Sequence, residues 1–166
     1  MVLRSAAVKQ LWAPWRMTYV TGQETSDAGC FICAAVANAA AELVVERAPL
    51  TISLLNRFPY SPGHLMIAPA RHVADPSDAT DPEAAALFAG LQRALRVLRG
   101  DMHPEGFNVG LNLGSVAGAS VEHLHLHVVP RWGGDTNFMP VLGDVKVLPE
   151  HLRATSARLR DAFGAL

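Results

Sequence analysis

The segment His123-Leu124-His125-Leu126-His127-Val128-Val129-Pro130 alternates imidazole with aliphatic side chains. A β-strand sends successive side chains to opposite faces, so this spacing predicts a strand with His123, His125 and His127 on one face. Leu124, Leu126 and Val128 then take the other face and enter a core. A lone histidine is usually a packed or solvated side chain, but three of the chain's seven fall in this register. Such a row suits metal ligation, or nucleophilic and proton-carrying chemistry.

The flanking sequence supplies a sheet for that strand. Leu43 to Glu46 and Leu50 to Asn56, parted by Pro49, predict two adjacent strands. Arg57 to Gly63 is turn chemistry, and a strand from His64 to Pro69 follows. Asp78, Asp81 and Pro82 announce a helix whose Leu87, Phe88, Leu91, Leu95 and Leu98 form one stripe and which Gly100 closes. The Ala-rich stretch from Ala34 to Ala41 predicts a short helix. Phe107 to Leu113 predicts a further strand, Gly114 to Ser120 a small-residue loop, and a last helix begins near Pro149. Strands that follow strands favour an α+β fold, an antiparallel sheet covered by helices.

At 166 residues the chain suits one domain. Its 14 Lys plus Arg balance 15 Asp plus Glu, which excludes a broad cationic field for nucleic acid or an anionic membrane. The longest apolar stretches fall far below the roughly 20 residues that span a bilayer. No secretory signal is indicated around Arg4 and Lys9, so a cytoplasmic location is expected. Cys30 and Cys33 form a Cys-x-x-Cys pair, which reads as metal ligands or a redox motif in a reducing compartment. Two thiolates, His72 and one strand histidine would complete a tetrahedral zinc site. Buried free thiols and a thioredoxin-like motif are the alternatives.

The His123-to-Val129 motif resembles the signature of the histidine triad (HIT) superfamily of nucleotidyl hydrolases and transferases. The likeness extends over Asn56 to His72 and the loop Asn112 to Ser120, hence most of residues 30–132. Leu11 to Met17 and Glu122 to Phe138, with its Pro130-Arg-Trp-Gly-Gly-Asp135 run, resemble a zinc-bearing bacterial branch, the diadenosine tetraphosphate phosphorylases or ATP adenylyltransferases. The resemblance implies a HIT-like sheet of about five strands in a homodimer, with residues 1–28 an amino-terminal extension, 29–132 the core and 133–166 a tail and helix.

It implies chemistry residue by residue. His125 attacks the α-phosphorus and forms a nucleotidyl-histidine intermediate, His127 sits beside the phosphates, and His64 joins the hydrogen-bond network that orients them. Asn112, Gly118 and Ser120 contact phosphate, Ser120 also helping to protonate the leaving group, and Asn56 contacts the ribose. Many members carry glutamine where Ala119 stands, so that part of the phosphate network differs here. Cys30, Cys33, His72 and His123 correspond to ligands of a structural Zn2+, with no organic cofactor. The implied substrate is a diadenosine polyphosphate or another AMP-containing compound, with inorganic phosphate as acceptor. Water as acceptor, a phosphoramidase, and a nucleotide-binding protein without turnover are the rivals.

Overall fold

The computed structural model describes residues 29–135 and 150–166. The readings on the amino-terminal extension and on Phe138 lie outside these residues. Five strands, β1 (Val44–Arg47), β2 (Thr51–Leu55), β3 (Leu65–Pro69), β4 (Gly106–Leu111) and β5 (Leu126–Arg131), form one sheet in the order β1-β2-β3-β5-β4. Every neighbouring pair is antiparallel. Among the described residues the helices are α1 (Phe31–Ala37), α2 (Asp81–Met102) and α3 (Leu152–Gly164). This is the expected α+β sheet.

Alternation within the strands divides the core in two. Leu55 on β2, Leu65 and Ile67 on β3, and Val128 on β5 pack with Leu91, Ala94, Val97 and Leu98 of α2 and with Leu159 and Phe163 of α3. Ile52, Leu54, Met66 and Ala68 form a second cluster with Ile32 of α1. His127 pairs with Met66 in register, and its neighbours Leu126 and Val128 belong to the first cluster. His127 therefore lies on the sheet face that α2 and α3 leave open.

Element ends differ from the sequence expectation for identifiable reasons. Helix α1 starts at Phe31 and stops before Ala39–Ala41, because the Asn38 Oδ1 accepts the Ala40 N–H at 3.0 Å. Arg47 then caps that end by donating to the carbonyls of Ala35, Val36 and Asn38. Gly100 lies inside α2, which runs to Met102 and ends at His103 in the left-handed conformation with φ 49°. The His103 Nδ1 stands 2.9 Å from the Arg99 carbonyl, and Pro104 follows. Helix α3 begins at Leu152, with His151 as its cap.

The largest correction concerns β5. Its ladder begins at Leu126 and not at His123, so His123 and His125 precede the paired strand. Opposite them the β3 strand ends in Pro69, which has no N–H to donate. The Leu124 N–H passes beyond it to the Val73 carbonyl at 2.6 Å.

The turn from β2 to β3 is tied down at both ends. Asn56 N–H donates to the His64 carbonyl at 2.9 Å, and the buried Ser61 hydroxyl donates to the Pro130 carbonyl at 2.8 Å. Gly63 has φ +72°, and a Cβ there would stand 2.5 Å from the Met102 sulfur, so this turn requires glycine.

Candidate active site and metal centre

The three motif histidines divide between two groups. His123 is 1% exposed and His125 is 5% exposed, so neither is displayed on an open strand face as the alternation alone suggests. The His123 ring packs edge-on against His72 with centroids 4.9 Å apart, while the His125 ring meets His127 at 4.7 Å.

The first group joins three separate segments. Cys30 occupies the N-cap position of α1 and Cys33 lies in its first turn, so one helical turn brings both sulfurs to one side. His72 follows β3 and His123 precedes β5. The ligand atoms of Cys30, Cys33, His72 and His123 all lie within 4.8 Å of one another. The His123 Nδ1 is 3.2 Å from the Cys30 Sγ and 3.5 Å from the Cys33 Sγ, and the His72 Nδ1 is 3.3 Å from the Cys33 Sγ. With Zn–S near 2.3 Å and Zn–N near 2.0 Å, tetrahedral edges of about 3.5 Å are required. The donor set and its spacing fit a zinc ion.

The surroundings prepare these ligands. The His123 Nε2–H faces the Pro69 carbonyl at 3.0 Å, which keeps the proton there and leaves Nδ1 as the lone-pair donor toward sulfur. Burial, reinforced by the neighbouring His72 and His125 rings and opposed by that carbonyl, holds His123 below the usual imidazole range. Burial, followed by the adjacent Cys30 sulfur, pushes the Cys33 thiol up, a penalty on forming its thiolate. A bound ion would be held by these four residues and would supply the positive charge that removes this penalty.

The second group holds three histidines, two of them, His64 and His127, joined in a hydrogen-bond relay. A backbone N–H can only donate, so the Tyr60 N–H at 3.1 Å fixes His64 Nδ1 as an acceptor. The His64 proton then sits on Nε2 and donates to His127 Nδ1 at 2.9 Å. For a neutral His127 this leaves its proton on Nε2. His125 is oriented the opposite way: its Nδ1–H donates to the His123 carbonyl at 2.7 Å, leaving the lone pair on Nε2, an arrangement able to act as a nucleophile. A nucleophilic nitrogen and a donor nitrogen thus stand on adjacent rings. The Tyr60 ring stacks on His64 with centroids 4.9 Å apart and an interplanar angle of 17°.

The remaining expected residues occupy the margins. Asn56 accepts the Phe58 N–H on Oδ1 at 2.8 Å, which makes it a turn residue beside the His64 main chain. The Asn112 Nδ2 donates to the Gly118 carbonyl at 3.4 Å across the loop, and Gly118 adopts φ +92°. Ser120 is exposed at the loop's end. The sequence reading had no place for Tyr60, for the Pro69 carbonyl or for the Val73 carbonyl. For Tyr60 the available signal was the Ser61-Pro62-Gly63 turn, which folds its N–H back onto the histidine four residues later.

The HIT domain family model matches residues 37–134. The chain belongs to the histidine triad family. Among related proteins, the AP-4-A phosphorylase of Mycobacterium tuberculosis (strain ATCC 25618 / H37Rv) is 46% identical over 157 residues, covering 89% of this chain and 80% of that protein. The bis(5'-adenosyl)-triphosphatase of Saccharomyces cerevisiae (strain ATCC 204508 / S288c) is 38% identical over 92 residues, 55% of this chain and 45% of the yeast protein. Among solved structures, a Zn-bound histidine triad family protein from Mycobacterium smegmatis superposes with a TM-score of 0.67 at 29% identity, over 82% of this HIT chain and 94% of that one.

Proposed function

We propose that this HIT protein cleaves diadenosine tetraphosphate and transfers the adenylyl group to inorganic phosphate, giving ADP and ATP. The observation that carries this reading is the His125 ring, whose Nδ1–H is held by the His123 carbonyl so that Nε2 is the attacking atom. Nε2 forms a bond to the α-phosphorus as the bond from that phosphorus to the bridging oxygen breaks, releasing ATP. The His127 Nε2–H, set by the His64 relay, hydrogen-bonds the departing oxygen and can supply its proton. A phosphate oxygen then displaces His125 from the adenylyl phosphorus and ADP leaves.

Asn112, Gly118 and Ser120 form the phosphate-contacting loop in this reading, with Ser120 assisting the leaving group, and Asn56 addresses the ribose. Cys30, Cys33, His72 and His123 hold a structural zinc that ties α1 to the lead-in of β5. The similarity to the AP-4-A phosphorylase, which spans 89% of this chain, supports phosphate as acceptor. A homodimer belongs to the same reading: β4 is an edge strand, and Val109, Leu111, Leu113 and Val116 expose an apolar surface along and beyond it. A cytoplasmic site of action belongs to the same reading; no helix among the described residues is long and apolar enough to cross a membrane. The whole chain acts as one HIT unit with an extension before residue 29 and a tail after residue 132.

A second reading, with water as acceptor, draws on the likeness to the yeast triphosphatase. Anion-exchange separation of products from diadenosine tetraphosphate, with and without inorganic phosphate, decides between them. ADP plus ATP that appear only with phosphate is the expected result. AMP plus ATP regardless of phosphate establishes the hydrolase, and absence of cleavage removes both.

A further inference from the structure

We propose that Glu83, in the first turn of α2, is a positioning residue for the metal ligand His72, acting through Arg71. The inference rests on the metal reading above. His72 is exposed and lies between the end of β3 and the short 3-10 turn Pro76–Asp78, where no strand ladder holds it. Two clamps bracket it. On one side the Val73 carbonyl accepts the Leu124 N–H at 2.6 Å, from the same segment that carries His123. On the other, the Arg71 guanidinium grips Glu83 with a two-pronged contact, Nε to Oε1 and Nη2 to Oε2, both at 2.8 Å. Nη2 also donates to the Asp78 carbonyl at 3.1 Å, so the fork spans the start and the finish of the loop.

Glu83 is itself immobilised. Its residue is 6% exposed, and its Oε2 accepts both the Thr80 N–H and the Thr80 hydroxyl at 2.9 Å. The Arg71 guanidinium, followed by the Thr80 donors, draws its carboxyl down to about 2, so it stays a full anion. Thr80 and Glu83 alone complete a capping box, and that would suffice to start α2. The arginine fork is additional to the cap, and Arg71 adjoins His72 in sequence. A bidentate guanidinium–carboxylate pair fixes orientation as well as distance. It therefore aims the backbone from which His72 reaches Cys33.

The test is cobalt(II) titration of the full chain, followed by thiolate-to-cobalt charge-transfer absorption and by competition with a chelator. Glu83→Gln is compared with wild type and with Asp101→Asn, which breaks the ion pair to Arg158 at the other end of α2. Glu83→Gln should bind cobalt roughly 10- to 100-fold more weakly, the range for removing an outer-shell partner, while Asp101→Asn keeps wild-type affinity. Equal affinity in Glu83→Gln and wild type overturns the proposal. Equal weakening in both variants also overturns it, because general loosening of α2 then accounts for the effect. A wild-type chain that shows no charge-transfer band removes the metal reading itself and this inference with it. Should Glu83→Gln fail to fold, Arg71→Lys retains the charge without the fork and is expected to show the same weakening.

Discussion

His123 and His125 are separated by one residue and both are buried, yet their rings face opposite duties. His123 commits its Nε2–H to the Pro69 carbonyl and turns Nδ1 to sulfur. His125 commits its Nδ1–H to the carbonyl of His123, which leaves the lone pair on Nε2. The side chains are identical and the choice of nitrogen is made by the nearest backbone acceptor. That acceptor depends on where β5 starts to pair. Because the ladder begins only at Leu126, the His123 carbonyl and the Pro69 carbonyl at the end of β3 meet imidazoles.

If the two groups are chemically separate, they should break separately. His125→Asn should lower turnover of diadenosine tetraphosphate by at least roughly 10^3-fold while nucleotide binding by calorimetry persists. Full turnover in that variant would remove the covalent mechanism. Cys33→Ser should instead lose metal and lower the melting temperature by about 10 °C, and chelation should bring wild type to the same midpoint. His64→Ala lies between: a roughly 100-fold loss in kcat with metal content unchanged. Loss of metal in His64→Ala would mean that the relay and the cluster are one cooperative unit.

The smallest effect concerns Glu83. Its folded-state value of about 2 lies below the ordinary 4.5, so the stability it contributes is complete above that ordinary value and fades as pH falls toward 2. Urea unfolding followed across this interval should show a flatter profile for Glu83→Gln than for wild type.

The sequence made some of these features readable and hid others. Aliphatic, β-branched and alternating runs revealed the strands, and Asp78, Asp81 and Pro82 marked the start of α2, because these signals are local. The members of the Cys-x-x-Cys and His72 cluster were legible through donor type, although their distances were not. The division of the motif histidines was implied by the family resemblance, but its structural cause was hidden, since β3 ends at a proline opposite them and the pairing starts only at Leu126. Tyr60 was hidden for the same kind of reason: its role belongs to its backbone N–H, which every residue except proline carries. Gly100 misled because a glycine can be tolerated inside a long helix when His103 and Pro104 end it further on.

The strand order also sets when the site can exist. β1, β2 and β3 are neighbours in both chain and sheet, so they can assemble through short loops. β5 arrives last of the strands and must insert between β3 and β4, joining Ile67 to Leu126 across the whole of α2 and β4. Closing so long a loop is entropically costly and slow compared with local pairing. His125 and His127 ride on that late segment. A chain in which β5 has not paired with β3 therefore cannot hold His127 beside His64, so this histidine contact depends on a long-range pairing.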